Sequence, residues 1–317
     1  MKPPPFFISY TNKKAFKSAL PDLILHKHWE EIEELIQKGL PPAVSHRVIA
    51  ALFSYTPKFV GAMANKPSNY YRRFTIPKGQ KRREIFAPRV ALKIIQKWIG
   101  HYLSVALTFD DHVYGFVNGK SAPLAAQVHC NAKWVYSIDI KDFFPSTEDK
   151  KVINSLESIG YSSDAAEVIA SLCCYNNALA QGSPASPVLS NITFKDTDKE
   201  LYSISEKYGV RVSRYADDIT FSGQGKPPSG LAEDVKRLIN DSGWNIAEDK
   251  EHLAKLPHRL KVHGLLVHTE KPRLTKGYRN KIRAYKHLLE NDRIEDEDLE
   301  RVKGHINYAN SIDDLNK

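Results

Sequence analysis

Residues 214–221 read Arg-Tyr-Ala-Asp-Asp-Ile-Thr-Phe, with two adjacent carboxylates at Asp217 and Asp218. On both sides of this pair apolar residues alternate with polar ones, a pattern typical of a half-buried β-hairpin. Aspartate is also common in turns, because its side chain accepts hydrogen bonds from nearby backbone N–H groups. The pair is therefore either a turn or part of a functional site, and a site requires a third carboxylate elsewhere in the chain.

The third carboxylate is Asp139, which lies at the end of a predicted strand over residues 134–140. If this strand lies beside the hairpin in one sheet, Asp139 approaches Asp217 and Asp218. Clustered carboxylates repel one another unless cations neutralise them, and Mg²⁺ prefers oxygen ligands. Two such ions about 3.5–4 Å apart activate an attacking hydroxyl and stabilise a leaving pyrophosphate. The three aspartates therefore predict the catalytic metal site of a nucleotidyltransferase.

The overall charge agrees with such an enzyme. The 317 residues carry a formal net charge of +9, which suits a polyanionic partner because Lys and Arg release counterions from phosphates; a merely basic surface is the alternative. No apolar run is long enough to cross a bilayer, and residues 1–10 lack the apolar core of a signal peptide. The three cysteines show no zinc-ligand spacing. We therefore expect a cytoplasmic protein with no membrane partner.

Residues 70–89 predict a second hairpin, whose tip presents Lys78, Lys81, Arg82 and Arg83. A solvated, charged hairpin that resists edge pairing is one interpretation, and a clamp for a triphosphate is the other. The periodicity also predicts helices and one further strand. The helices cover residues 11–65, 90–107, about 123–130, 148–175, 188–207 and 231–241 and the last fifty residues, and the strand covers 259–267.

The box Tyr-Ala-Asp-Asp at residues 215–218 resembles the Tyr-x-Asp-Asp box of reverse transcriptases. Further segments resemble motifs of this family and occur in the family's order. Residues 70–88 resemble the first fingers motif, 137–146 motif A, 181–187 motif B, 243–250 motif D and 259–267 the primer grip. This ordered set covers roughly residues 70–267 and is far more specific than any single box.

Within the family, the chain is most similar to the bacterial retron reverse transcriptases, particularly at residues 138–146, 173–175 and 181–184. Two retron signatures differ here. Retrons usually carry Asn-Ala-x-x-His before motif A, where this chain has Ala-Ala-Gln-Val-His ending at His129, and Val-Thr-Gly after motif D, where it has Val-His-Gly around His263. The resemblance implies that His129 and His263 contact RNA, and both departures concern RNA recognition.

The resemblance implies roles for the other matching residues. The carbonyl of Ile140 joins the three aspartates around two Mg²⁺ ions, and Phe144 takes the position of the bulky residue that excludes a ribose 2′-OH. Lys250 is either the general acid for the leaving pyrophosphate or an exposed structural lysine. The dNTP is expected to meet Lys78, Arg82, Arg83 and Gln181, and the RNA is expected to meet Lys276, Arg279 and Arg283.

The implied fold is α+β with the right-hand polymerase architecture. It comprises an N-terminal helical region (1–69), fingers (70–135), a palm with an antiparallel sheet (136–267) and a small helical thumb (268–317). A helical fingers insertion interrupts the palm at about 147–180.

The implied function is RNA-directed DNA synthesis. A cognate structured noncoding RNA would serve as template and as primer through a 2′-OH, giving branched msDNA in an antiphage defence system with a separate effector protein. Two alternatives stay open: another bacterial reverse transcriptase (group II intron-like or diversity-generating), and a non-catalytic RNA-binding scaffold of an effector complex. A scaffold would have no use for three mutually repulsive aspartates.

Overall fold

The computed structural model describes residues 4–79 and 81–315, without the side chains of Lys78 and Lys81. The chain forms two compact units. The first contains the chain up to Phe109 with Phe116–Asn118 and Asp142–Asp196, and the second contains Asp110–Gly115, Gly119–Lys141 and the chain from Thr197 onward. None of the described helices has the length and apolar character that a membrane span requires.

The first five helices and the first hairpin precede residue 107. They are α1 (Lys13–Ala19), α2 (Asp22–Gln37), α3 (His46–Phe53), α4 (Pro57–Asn65), β1 (Tyr71–Lys78), β2 (Lys81–Pro88) and α5 (Val90–Ala106), with a 3₁₀ turn at Pro67–Asn69. The side chains of Ser45 and Thr56 cap α3 and α4 by accepting hydrogen bonds from backbone N–H groups of the first turn. The predicted helices and the basic hairpin are therefore confirmed.

The middle of the chain alternates helices with short strands. Its elements are α6 (Ala122–Val128), β3 (Trp134–Asp139), α7 (Phe143–Ser146), α8 (Asp149–Ser158), α9 (Ser163–Cys173), β4 (Cys174–Tyr175), β5 (Ala178–Leu179) and α10 (Ser186–Tyr208).

The remaining elements begin with the hairpin that carries the two aspartates. They are β6 (Arg211–Tyr215), β7 (Asp218–Gly223), α11 (Leu231–Asp241), a 3₁₀ turn at Glu248–Lys250, β8 (His252–Lys255), β9 (Lys261–Val262), β10 (Leu265–Leu266), β11 (Arg273–Leu274), α12 (Lys276–Glu290) and α13 (Asp296–Leu315).

The core of the first unit joins the amino-terminal helices to α8 and α9. Phe16, Ile32 and Trp98 are fully buried there together with Leu156 and Ile169. All three cysteines of the chain are unpaired and buried, as expected for cysteines that pack as small apolar residues.

The second unit is built on a four-stranded antiparallel sheet with the strand order β6-β7-β3-β8. The predicted hairpin of β6 and β7 is present, but it is not half-buried as its alternating polarity predicted. Ser213, Arg214, Thr220 and Ser222 are all buried. Their polar atoms bond to other side chains, which is how buried polar groups are usually stabilised. Strand β8 was not predicted at all.

The predicted strand over residues 259–267 is wrong in one respect. The segment forms two short strands, β9 and β10, which pair antiparallel with Val262 opposite Leu265. The two residues between them, His263 and Gly264, have φ of +48° and +81°. A two-residue hairpin turn of this kind needs positive φ at both positions, which Gly264 adopts readily. The chain therefore turns after β9, although the apolar pattern of the sequence continues through residues 259–267.

A second core lies between the four-stranded sheet and the carboxy-terminal helices. It buries Val135 and Ala254 from the sheet, Leu260 and Val262 from the β9 region, and Ile282 and Ile312 from α12 and α13. The β9–β10 turn and the two last helices are therefore fixed to the sheet by apolar packing.

Candidate active site

Strand register brings the three predicted catalytic aspartates together. Asp139 ends β3 and pairs directly with Asp218, the first residue of β7. The backbone N–H of Ile140 donates to the carbonyl oxygen of Asp217 at 2.8 Å. Residues opposite each other in an antiparallel sheet have Cβ atoms about 5 Å apart, so Asp139 and Asp218, which are 79 positions apart in the sequence, become direct cross-strand neighbours.

The turn between β6 and β7 holds Asp217 at the sheet edge. Tyr215 pairs with Asp218, leaving only Ala216 and Asp217 in the loop, and Ala216 has φ of +59°. A left-handed conformation costs of order 1 kcal/mol or more for a residue with a Cβ atom. Gly115 packs against this turn, and a Cβ atom there would lie 2.1 Å from the backbone nitrogen of Ala216.

A segment after α11 supplies a cation to the carboxylates. The backbone of Asn245 and Ala247 bonds to Lys141 and Asp139, which brings the following 3₁₀ turn to the end of β3. The ammonium of Lys250 then lies 2.5 Å from Oδ1 of Asp139, with the Lys250 side chain 43% exposed. Lys250 is therefore in contact with a proposed metal ligand and is also open to solvent.

Electrostatics at this edge favour a bound cation. Burial raises the pKa of Asp139 above its ordinary value. The hydrogen bond from Lys250 acts in the opposite direction, whereas the charges of Asp217 and Asp218 raise the pKa further. The carboxylates thus repel one another, and their oxygen donors have the chemistry that divalent ions such as Mg²⁺ require.

The side chains do not yet converge around a metal position. Among residues 4–79 and 81–315, no group of three His, Cys, Asp or Glu side chains is arranged to hold a metal ion. Asp139 is instead paired with Lys250, so a cation bound by Asp139 would compete with the Lys250 ammonium. The oxygen donors of the three aspartates nevertheless have the chemistry that suits a divalent ion.

The predicted nucleotide-binding residues lie in the first unit. The backbone N–H of Phe86 in β2 donates to the carbonyl oxygen of Gln181 at 2.8 Å. Gly182 permits this approach, since a Cβ atom there would lie 2.9 Å from the Phe86 carbonyl oxygen. Arg82 is exposed and Arg83 is half-buried on the same hairpin. The Lys78 side chain lies outside the described part of the chain.

Phe144, the predicted sugar-selecting residue, lies in the short helix α7. Its ring stacks with Phe116 at 6.0 Å between ring centroids and an interplanar angle of 28°. It also contacts the ring of Phe143 at 5.8 Å. The Phe144 ring therefore packs against two aromatic neighbours.

The structure contradicts a direct RNA contact by His129. This side chain is 0% exposed, and its Nδ1 and Nε2 atoms each lie 2.7 Å from a serine hydroxyl, of Ser222 and Ser213 respectively. Burial lowers its pKa to about 3, and the nearby charges of Arg211 and His263 act in the same direction. His129 is therefore a neutral residue that joins α6 to both strands of the β6–β7 hairpin.

His263 also lies against the protein rather than in solvent. Its side chain is 9% exposed, with Nδ1 at 3.4 Å from Oδ2 of Asp218. The ring lies 5.1 Å from that of Tyr215. The predicted RNA contact at His263 is thus replaced, in this conformation, by contact with the turn between β6 and β7.

The three predicted RNA-binding residues of α12 share one exposed helix face. Lys276, Arg279 and Arg283 follow the spacing i, i+3, i+7 and are all exposed, while Ile282 faces the core. Residues at this spacing lie in one row along a helix, so their charges form a continuous basic stripe.

Sequence reasoning missed two features that hold the site. Arg214 was recognised only as part of the box, although its guanidinium is buried in an ion pair with Asp198. Strand β8 covers the far side of β3 but has an ordinary, mixed composition. The available signal was that Arg214 follows Val210 and Val212 at every second position, on the side of the predicted strand that faces the core. A charged residue on that side indicates a buried partner.

Comparison with known proteins identifies the family. The family model described as reverse transcriptase (RNA-dependent DNA polymerase) matches residues 66–283. The chain is 30% identical over 247 residues to the retron Ec86 reverse transcriptase of Escherichia coli, which covers 77% of this chain and 77% of that protein. The chain belongs to the retron reverse transcriptases.

Other comparisons give weaker similarities. The retron Se72 reverse transcriptase of Salmonella heidelberg is 28% identical over 252 residues, covering 76% of this chain and 66% of that protein. Among solved structures, the C-terminally truncated apo telomerase of Candida tropicalis has a TM-score of 0.48 and 13% identity, covering 70% of this chain and 61% of that chain.

Family membership decides between the alternatives left open by the sequence. This retron reverse transcriptase is an RNA-directed DNA polymerase, so the non-catalytic scaffold is not supported. The predicted α+β class is confirmed by the helices and the antiparallel sheet. Enzymes of the family use divalent metal ions and dNTPs.

Proposed function

We propose that this retron reverse transcriptase extends DNA on an RNA template at a site formed by Asp139, Asp217 and Asp218. The observation that carries the proposal is the cross-strand pairing of Asp139 with Asp218, together with the backbone bond from Ile140 to Asp217. Two Mg²⁺ ions, held by the three carboxylates and the Ile140 carbonyl, would activate the attacking hydroxyl and stabilise the leaving pyrophosphate.

Lys250 has two functions in this proposal. Its ammonium neutralises Asp139 before substrate binds, as its contact with Oδ1 suggests. Because the side chain remains 43% exposed, it is free to turn towards the pyrophosphate and donate a proton from Nζ. General acid catalysis of this type contributes about 10²–10⁴-fold to a rate.

The nucleotide is bound by the first unit. We assign the triphosphate to Lys78, Arg82 and Arg83, whose charges suit phosphate oxygens. Gln181 contacts the nucleotide or template, and its backbone bond to Phe86 keeps it beside the basic hairpin. Phe144 excludes a ribose 2′-OH by its bulk, and its stacking on Phe116 supports a fixed ring position. In this assignment residues 70–135 are the fingers, 136–267 the palm and 268–317 the thumb.

The template is the chain's own structured noncoding RNA, from which a 2′-OH primes synthesis of branched msDNA. Support comes from the retron relatives and from the exposed stripe of Lys276, Arg279 and Arg283. Such a stripe suits duplex phosphates, which proteins contact by shape because the deep major groove of A-form RNA hides its base edges. We place the reaction in the bacterial cytoplasm, within an antiphage system that includes a separate effector protein.

A double substitution tests the catalytic assignment. Asp217→Asn combined with Asp218→Asn removes the charges that bind cations and retains the side-chain shapes. We expect no Mg²⁺-dependent primer extension on an RNA template, with RNA binding retained. Asp241→Asn, an exposed residue at the end of α11, is the matched control and should retain activity. Primer extension by the double variant would disprove the assignment.

The RNA partner is tested by purifying the protein after expression with its native locus and sequencing the nucleic acid bound to it. A branched RNA–DNA hybrid supports the retron reaction. RNA without attached DNA contradicts it.

A further inference from the structure

A buried ion pair lies directly behind the catalytic turn. The side chains of Arg214 and Asp198 are 0% and 1% exposed. Arg214 Nε donates to Oδ1 of Asp198 and Nη2 donates to Oδ2, both at 2.6 Å. This fork geometry is the strongest form of a carboxylate–guanidinium interaction, and it ties β6 to the second half of α10.

Arg214 also reaches forward to the turn itself. Its Nη1 donates to the carbonyl oxygen of Ala216 at 2.9 Å. Ala216 is the left-handed residue immediately before Asp217. The guanidinium therefore holds, through one hydrogen bond, the peptide group that precedes a proposed metal ligand.

The backbone of Arg214 is fixed as well. Its N–H donates to the carbonyl oxygen of His112, and its own carbonyl oxygen accepts from the N–H of Tyr114, both at 2.8 Å. The His112 ring stacks on Tyr202 of α10 at 5.4 Å. Arg214 is thus held by backbone on one side and by Asp198 on the other, which leaves its guanidinium little freedom to move.

Stability alone does not account for this arrangement. Burying an ion pair removes two charges from water, and apolar residues of similar volume are often as stable or more stable at such positions. The pair provides something an apolar pair cannot, namely a rigid donor aimed at the Ala216 carbonyl.

We propose that Arg214 and Asp198 are positioning residues for Asp217, which set the orientation of the catalytic turn through the Ala216 carbonyl. The proposal rests on the catalytic function of Asp217 proposed above. It extends that function to two residues that touch neither substrate nor metal.

Two variants test it. Arg214→Lys keeps the charge but cannot bond both Asp198 oxygens and the Ala216 carbonyl. The double variant Arg214→Met with Asp198→Leu replaces the pair by apolar side chains and removes the bond to Ala216 while preserving packing. Arg211→Lys, on the same strand and bonded to the carbonyl oxygens of Val128 and Cys130, is the matched control.

The measurements are kcat, the Mg²⁺ concentration giving half-maximal rate, and the affinity for RNA. For each variant that folds, we expect kcat to fall about 10- to 100-fold, the effect of a displacement of about 1 Å at a reacting group. The Mg²⁺ requirement should rise while RNA affinity stays within twofold. A merely structural contribution would leave the Mg²⁺ requirement unchanged.

A folded apolar double variant with wild-type kcat and Mg²⁺ requirement overturns the proposal. That outcome is distinguishable from failure of the catalytic assignment. If Asp217→Asn with Asp218→Asn is inactive but the apolar double variant is fully active, only the positioning proposal fails.

Discussion

The buried histidine beneath the β6–β7 hairpin predicts an unusual dependence of stability on pH. His129 is neutral in the folded protein because burial lowers its pKa from 6.5 to about 3, assisted by the positive charge of Arg211 and by His263. Between these values the unfolded chain binds a proton that the folded chain does not. The contribution of neutral His129 to the free energy of unfolding is therefore complete above pH 6.5 and is lost as the pH falls towards 3.

The magnitude follows from the pKa difference. A difference of one pKa unit corresponds to about 1.4 kcal/mol. Protonation of His129 in the unfolded chain therefore lowers the free energy of unfolding by about 2 kcal/mol between pH 7.5 and pH 5. Lowering the pH to well below 3 would remove about 5 kcal/mol from the free energy of unfolding, comparable to the whole stability of a small domain.

The perturbation is His129→Gln, which does not titrate. At pH 7.5 the variant is expected to be less stable, because glutamine cannot bond both Ser213 and Ser222 from the end of α6. As the pH falls, the wild-type protein loses the His129 contribution and the variant does not. The stability gap between the two should therefore shrink by about 2 kcal/mol at pH 5.

The difference in unfolding free energy between the wild-type protein and His129→Gln is measured by urea titration, with unfolding monitored by hydrogen-exchange mass spectrometry. Peptides from β6 and β7 report on the second unit. His258→Gln, at an exposed position, controls for the loss of a histidine. A gap that stays constant between pH 7.5 and pH 5 would refute the reasoning. So would an imidazole of His129 that titrates near pH 6.5 by NMR in the folded protein.

Three further predictions concern the active site and the RNA-binding face. Gly115→Ala should lower kcat about 100-fold in a primer-extension assay, because its Cβ atom would meet the Ala216 nitrogen at 2.1 Å; near-normal kcat would show that the loop shifts freely. Phe144→Ala should reduce the ratio of kcat/KM for dNTP over rNTP while Phe144→Tyr preserves it, and an unchanged ratio in Phe144→Ala would exclude its proposed selectivity. The triple substitution Lys276→Ala, Arg279→Ala and Arg283→Ala removes three basic charges from α12. It should reduce the magnitude of the slope of log RNA affinity against log salt concentration by about 2–3, with DNA extension retained at saturating RNA. An unchanged slope would show that the RNA binds elsewhere.

Much of the fold follows from local patterns. Apolar spacing and capping residues predict the helices at residues 11–65, 90–107 and 231–241, and the observed α11 covers Leu231–Asp241 as expected. Alternation predicts β3 and the β6–β7 hairpin. It fails at residues 259–267, where the pattern is continuous but Gly264 permits a turn. It also fails at β8, whose strand conformation depends on pairing with β3.

The amino-acid sequence alone predicts a metal site at the three aspartates and their order among the polymerase motifs, because the chemistry of a metal site restricts the residue types that can serve there. Only the folded chain decides which side chains surround them. His129 lies fully buried beneath the hairpin, and Arg214 lies fully buried behind the turn. Both outcomes depend on residues 16 to 93 positions away, Asp198 for Arg214 and Ser213 and Ser222 for His129. Contacts of this range form when strands and helices pack, and no local pattern specifies them.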